Sequence, residues 1–327
     1  MSKILFIGGT RFVGPAIIKR LLYEGGHEIT IFNRGNKYGH QIPNRIKHIK
    51  GDRLKKEDLR KINSAKYDYI YDMCCFNPEE AILLLKELKP QSHIVFFSSA
   101  AVYEKTIIYP LYESSKLGQW PTFGDYGECK AKIEEIYSSY CKKHNLKFTA
   151  LRPNYLLGKN NYFDRENYFF SRILKNRPIL IPGSADSIQQ FGFLEDSAEA
   201  FFLIPKKQKS QTEFVNIAGN ELISLKNFIM LCSEIVGKKP KLISIRNGQF
   251  GIEEESFYDD LYPFPNVTFI TSNKVMVEKY GIKPTELIKG LKVLYKHWYK
   301  QWNGKVHTYK LEEELLNKLK KHNEQKG

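Results

Sequence analysis

Three tyrosines stand four residues ahead of a lysine: Tyr112 and Lys116, Tyr126 and Lys130, and Tyr155 and Lys159. That spacing carries a definite chemistry. A phenol that takes a proton from a hydroxyl group must ionise near neutral pH, and bringing its pKa from about 10 to about 7 requires roughly 4 kcal/mol of selective stabilisation of the phenolate. An ammonium one helical turn away supplies the positive charge. With 20 tyrosines in a lysine-rich chain, chance matches are expected, so context has to choose. Tyr112 lies in a stretch with no apolar period, and Tyr155 and Lys159 enclose Gly158 and run into Asn160-Asn161. Tyr126 and Lys130 lead directly into Ala131, Ile133, Ile136, Tyr137 and Tyr140, a helical period that puts both side chains on one face. Ser99, just after the apolar run His93 to Phe97, is the natural third member, since its hydroxyl could orient a substrate hydroxyl or carbonyl. A helix cap or turn residue is the alternative for such a serine.

A proton acceptor of this kind belongs beside a hydride acceptor, and Ile4 to Gly35 reads as the place for one. Lys3 to Ile7 has strand length, Gly8-Gly9-Thr10 breaks it, and an apolar period resumes at Val13, Ile17, Ile18, Leu21 and Leu22 before a second strand, Ile29 to Phe32. In such a βαβ unit the first N–H groups and the dipole of the helix hold a pyrophosphate. Gly8 suits the tight turn and Gly14 a close approach of helix to sheet, with Thr10, Arg11, Phe12 and Val13 completing the loop. Pro15 falls where a missing N–H is harmless. The pattern G-x-x-G-x-x-G is met at two of three positions, Arg11 replacing the middle glycine. A βα turn that binds nothing is the alternative. At the end of the second strand, where an acid would read a ribose 2′-hydroxyl, stand Asn33 and Arg34. Two guanidinium groups and no carboxylate suit a 2′-phosphate, so NADP is favoured over NAD, against a reading of both arginines as solvated loop charges.

Further strands are expected at Arg45 to Lys50, Tyr67 to Met73, His93 to Phe97 and Phe148 to Leu151, with helices from Glu57, from Pro78 and from Tyr126 to Lys143. Alternation at this spacing describes an α/β fold with a doubly wound parallel Rossmann sheet. Ligands in such sheets sit at the carboxyl ends of the strands, where Gly8 to Gly14, Asn33-Arg34, Asp52-Arg53, Met73 to Cys75 and Ser98-Ser99 all fall. Glu104 to Asp125 is a long irregular loop, a length that usually signals function. After Arg152-Pro153 the pattern loosens into a smaller, irregular lobe, and a charged tail with Leu311, Leu315 and Leu319 four apart reads as a one-sided helix. That helix docks on the body, docks on a second subunit, or is solvated.

The 327 residues, 42% hydrophobic and 13% aromatic, exclude a disordered or collagenous chain and suffice for a sizeable core. The apolar run at the N-terminus stops after four residues at Gly8-Gly9, and nothing later approaches the roughly 20 apolar residues of a membrane span, so a soluble, cytoplasmic protein is expected. Cys74, Cys75, Cys129, Cys141 and Cys232 have neither disulfide-framework nor metal-site spacing, so no metal is expected. The net charge of +15 would attract phosphate-bearing ligands, whether cofactor, nucleotide sugar or RNA, without choosing among them.

At this point the residues carry a resemblance. GGTRFVG, GDR at Gly51 to Arg53, FFSSAAVY at Phe96 to Tyr103 and YGECKAKIE at Tyr126 to Glu134 resemble the extended short-chain dehydrogenase/reductase superfamily, the NAD-dependent epimerase/dehydratase group. LRPNYLLG, PILIPG, QFGFLEDSAEA, FVNIAG and YGIKPT extend the likeness to about residue 302. The resemblance implies Tyr126 as general base, Lys130 on the nicotinamide ribose, Ser99 on the reacting oxygen, Asp52 near the adenine, and Arg53 and Cys74 lining the cofactor. It further implies substrate contacts at Tyr103, Asn154 and Gln190, and a nucleotide-sugar substrate for an epimerase or ketoreductase working at a sugar carbon. GGTRF and NRG mark a subgroup that is similar, more distantly, to chloroplast stem-loop RNA-binding proteins, which keeps open an RNA-binding or dinucleotide-sensing protein on the same fold. The expected organisation is a dinucleotide-binding domain of residues 1–152 with returning segments at about 187–220, a substrate lobe of 153–186 and 221–302, and a tail of 303–327. Nucleic acid is the less favoured partner, and the superfamily's habit of pairing leaves room for a homodimer.

Overall fold

The computed structural model describes residues 1–35, 45–63, 67–163, 165–251, 262–306 and 308–324. In chain order its elements are β1 (Ser2–Ile7), α1 (Val13–Glu24), β2 (His27–Asn33), β3 (Lys47–Lys50), α2 (Lys56–Asn63), β4 (Tyr69–Asp72), α3 (Pro78–Leu88), β5 (His93–Phe97), α4 (Asp125–Lys143) and β6 (Phe148–Pro153). They continue with β7 (Tyr155–Leu157), α5 (Arg165–Leu174), β8 (Pro178–Pro182), β9 (Ile188–Phe193), α6 (Leu194–Lys207) and β10 (Thr212–Ile217). The last are β11 (Leu222–Ser224), α7 (Leu225–Val236), β12 (Lys241–Ile245), α8 (Leu287–Gln301) and α9 (Lys310–Glu324).

Two compact units form. The first comprises Met1–Leu156, Gly192–Gly219 and Thr271–Pro284. Its seven-stranded sheet runs in the order β10-β6-β5-β4-β1-β2-β3, and every pairing is parallel. A parallel sheet needs cover on both faces, and the alternation of β1 shows how it is obtained. Ile4 and Phe6 join Ile17, Ile18 and Leu21 of α1 with Phe201 and Ile204 of α6 on one face. Leu5 and Ile7 join Leu59 of α2, Leu84 of α3 and Ile133 and Tyr137 of α4 on the other. The strand order reverses between β1 and β4, so the crevice at their carboxyl ends is the natural ligand position. The doubly wound sheet expected from the sequence is therefore present, with β10 added beside β6.

The second unit comprises Leu157–Phe191, Asn220–Ile270 and Thr285–Gly327. β9 pairs with β11 antiparallel and β8 with β12 parallel. Its core is aromatic: Phe228 lies 5.6 Å from Phe169 and 4.5 Å from Phe191, and Phe169 stacks on Phe264 at 6.2 Å between ring centroids. In this division Thr271–Pro284 lies in the first unit and the tail in the second. The tail docks within that unit. Leu315 is fully buried, Glu312 forms a buried ion pair with Arg172 of α5, and the Tyr168 hydroxyl donates to the same carboxylate at 3.2 Å.

Among the described residues no helix is long and apolar enough to cross a membrane. Glu312→Gln should lower the stability of the chain by about 3–5 kcal/mol, because it strands a buried guanidinium. Urea unfolding measures this, and a loss below about 1 kcal/mol, the range of an exposed ion pair, would contradict the docked tail.

Candidate functional site

The turn after β1 is built by steric necessity. Gly8 and Gly9 have φ of 83° and 80°, the left-handed region that favours glycine. A Cβ at Gly14 would stand 2.4 Å from the Gly9 carbonyl oxygen, so the first turn of α1 can lie against the loop only with glycine there. A Cβ at Gly8 would stand 2.8 Å from the Cys74 Sγ, which brings the β1 turn against the end of β4 at the point where the strand order reverses. No acidic residue occupies the first turn of α1, so the helix dipole faces an anion unopposed by its own side chains. Glycines with no room for a side chain and a helix N-terminus without acids fit the pyrophosphate of a dinucleotide.

Asn33 ties this turn to the end of β2. Its Nδ2 donates to Thr10 Oγ1 at 3.2 Å, while its Oδ1 accepts from the Gly35 amide and from His48 Nε2, each at 2.9 Å. Arg11 and Arg34 are exposed, and Val13 is buried beneath the helix start. Asp52 is half-buried at the end of β3, where its Oδ1 accepts from the Leu54 amide at 3.0 Å.

Of the three tyrosine–lysine pairs, Tyr126 and Lys130 share one helix. Tyr112 lies in the loop bonded to Ser115, its partner Lys116 pairs with Glu104, and Tyr155 is in strand β7 and buried. Lys130 is fully buried, and its ammonium donates to the carbonyls of Cys75 at 2.8 Å and Phe97 at 2.9 Å, standing 5.7 Å from the centre of the Tyr126 ring. Burial pulls this ammonium down to about 8, with nearby Cys75 and Asp72 opposing the fall. Tyr126 is 38% exposed. Ser99 is half-buried two residues beyond Phe97 and accepts from the Ala101 amide at 3.1 Å, capping the short 3-10 helix Ala100–Val102. Capping uses an acceptor position, so it is compatible with the hydroxyl donating to a ligand.

Tyr103 is fully buried, and its hydroxyl donates to Asn216 Oδ1 at 2.6 Å and accepts from Arg152 Nη1 at 3.0 Å. Arg53 likewise spends its guanidinium inside the protein, on Asp72 at 2.7 and 3.0 Å and on Glu80 at 3.3 Å. Asn154 is buried in the first unit, with Oδ1 accepting from the Tyr155 amide, and Gln190 is buried on β9 in the second. Among the described residues no group of three or more His, Cys, Asp or Glu side chains could hold a metal ion.

Several supporting residues escape a reading by motif. A Cβ at Gly127 would lie 2.0 Å from the Ala101 carbonyl oxygen, so glycine lets the start of α4 touch the 3-10 helix that Ser99 caps. A glycine in an amphipathic helix, unfavourable by propensity, was the available signal. Glu134, Arg152, Asp72 and Tyr137 are buried groups with polar ends, and nothing in the sequence marks them as paired.

A model of the NAD dependent epimerase/dehydratase family matches residues 4–218. The chain is 29% identical over 305 residues to the chloroplast stem-loop binding protein of 41 kDa b from Arabidopsis thaliana, covering 89% of this chain and 77% of that one. Among solved structures it is similar to dTDP-glucose 4,6-dehydratase from Bacillus anthracis in complex with NAD, with a TM-score of 0.76 and 18% identity over 92% of this chain and 98% of that one. It is similar also to UDP-glucose 4-epimerase with UDP-glucose from Thermotoga maritima, with a TM-score of 0.74 and 18% identity over 91% and 99%.

Gly127→Ala separates two opposed effects. Helix propensity alone would stabilise the protein by about 1 kcal/mol, whereas the contact with Ala101 should destabilise it by about 1–3 kcal/mol. Thermal unfolding reads the sign, and a raised melting temperature would show that α4 does not depend on this approach.

Proposed function

The chain belongs to the NAD dependent epimerase/dehydratase family, and we propose that it is an NAD(P)-dependent epimerase or ketoreductase acting at a carbon of a nucleotide sugar. The observation that carries the reading is the helical pair of an exposed Tyr126 and a buried Lys130, whose ammonium donates to the Phe97 carbonyl two residues before Ser99. Ser99 orients the hydroxyl or carbonyl oxygen of the sugar by hydrogen bonding. In oxidation Tyr126 takes the hydroxyl proton, in reduction its phenol gives the proton to the carbonyl oxygen, and the Lys130 ammonium favours the phenolate form. A bound nicotinamide dinucleotide supplies hydride transfer. Gly8 to Gly14 would hold its pyrophosphate, with Asp52 toward the adenine and Cys74 beneath the loop. Asn154 and Gln190 remain the candidates for substrate contact. The absence of an acid at the end of β2, with Arg34 and Arg11 exposed nearby, supports NADP as the preferred form.

A second reading is favoured by the similarity to the stem-loop binding protein and by the net charge of +15, namely RNA binding on the same fold. The two differ in what they demand. An RNA-binding protein has no use for a tyrosine–lysine pair, and its affinity should fall steeply and linearly on a log–log plot against salt.

Tyr126→Phe should reduce turnover of nucleotide sugars by about 10²–10⁴-fold, the contribution of a general base, while cofactor affinity changes little. Retained full activity would remove Tyr126 from the reaction. Arg34→Ala should weaken NADP binding by about tenfold or more and NAD binding hardly at all, a loss of one charge-assisted contact that titration calorimetry can compare directly. Equal losses for the two forms would refute the phosphate-reading role.

A further inference from the structure

Lys130 rests on a turn that a buried ion pair holds in place. The Cys75 carbonyl that accepts from its ammonium belongs to the turn beginning at Asp72. The Asp72 carboxylate, fully buried, gathers Arg53 Nη1 at 2.7 Å, Arg53 Nη2 at 3.0 Å, the Tyr137 hydroxyl at 2.5 Å and the Cys74 amide at 3.3 Å. Tyr137 lies seven residues beyond Lys130 on α4, two helical turns along the same face. Asp72 therefore grips both the helix that carries Lys130 and the turn that receives its ammonium.

The charges matter as well as the grip. The groups whose charge acts on the ammonium are Asp72, Cys74 and Cys75 from the end of β4 and Arg53 from the turn after β3, with the Tyr126 ring 5.7 Å away on its own helix, Glu80 paired to Arg53 and Tyr137 bonded to Asp72. Asp72 favours the protonated lysine and Arg53 disfavours it. A lone carboxylate here would also oppose a phenolate at Tyr126, and a lone guanidinium would expel the ammonium's proton.

We propose that Arg53 and Asp72 are positioning residues for Lys130: Asp72 fixes the turn carbonyl beneath the ammonium and sustains its charge, while Arg53 cancels the excess negative field toward Tyr126. The inference rests on the assignment of Tyr126 and Lys130 as the reacting pair, and its test needs no substrate. The full chain is labelled with ¹³C at lysine Cε and titrated by NMR, the resonance missing from Lys130→Arg giving the assignment. In the wild type this lysine should titrate near 8, apart from the others. Arg53→Gln should raise its midpoint and Asp72→Asn lower it, each by about one to three pH units, the range for one charge at roughly 4–12 Å and an effective dielectric near 20. The double variant should return to within a few tenths of the wild type.

A purely structural role gives another pattern. Loosening the turn admits water, so either single variant and the double would all drift up toward an ordinary lysine near 10.4. Shifts in the same direction, or a double variant that keeps the larger single shift, overturn the proposal. Should Asp72→Asn fail to fold, Arg53→Gln and the double decide, since the restored midpoint is the discriminating result. Compensating midpoints in a protein without sugar turnover would support the ion-pair role and reject the proposed reaction. Non-compensating midpoints in an active enzyme would do the reverse.

Discussion

Helix α4 is fixed by buried charge. Glu134 pairs with Arg152 at the end of β6 at 2.6 and 2.9 Å, and three residues farther along Tyr137 reaches the Asp72–Arg53 pair at the end of β4. Each of these ions would be costly alone, because removing one partner of a buried pair destabilises a protein by about 3–5 kcal/mol. The pairs therefore tolerate little sliding or rotation of the helix. A third restraint is the contact of Gly127 with Ala101, which sets how closely the helix begins against the Ser99 turn. Two ion pairs and one steric contact leave Tyr126 and Lys130 little freedom except in their own rotamers.

The same polar groups organise the long loop between β5 and α4. Arg152 Nη1 donates to the Glu113 carbonyl at 3.1 Å, the Asn216 amide donates to the Glu113 carboxylate at 2.9 Å, and Asn216 Nδ2 donates to the Leu111 carbonyl at 3.2 Å. Ser98, adjacent to Ser99, donates to Glu134 at 2.5 Å. The loop is thus stitched to the carboxyl ends of β6 and β10. A loop without its own periodicity acquires one conformation because sheet-end polar groups have to be satisfied somewhere.

What the sequence discloses follows from the range of each interaction. The βαβ start is legible because its determinants are local: apolar runs of strand length, glycines at the turn, and a helical period beginning at Val13. Tyr126 and Lys130 are legible for the same reason, since four residues on one helix need no knowledge of the tertiary fold. For Tyr103 and Arg53 the motif position does not disclose the buried partners each side chain meets, because Asn216 and Asp72 lie 113 and 19 residues away. The tail shows the same limit. The spacing of Leu311, Leu315 and Leu319 predicts a one-sided helix, but its place against α5 depends on Arg172, 140 residues earlier.

The arginine in the glycine loop illustrates how a broken motif can keep its geometry. Positive φ falls at Gly8 and Gly9, and then at Phe12 with φ of 44°, so Arg11 itself does not need the freedom of glycine. The steric demand of the loop rests on Gly14 against Gly9 and on Gly8 against Cys74. The residue at position 11 is exposed, and neither of these two close approaches involves it. The strain passes to Phe12 instead, at a cost of about 1–3 kcal/mol for a bulky residue in a sparsely populated backbone region. Strain of that size persists when surrounding structure enforces it, here the packing of α1 on Ile4 and Phe6 behind the turn. The middle glycine is therefore dispensable to this turn, and its replacement adds an exposed cation beside a helix N-terminus that already favours an anion.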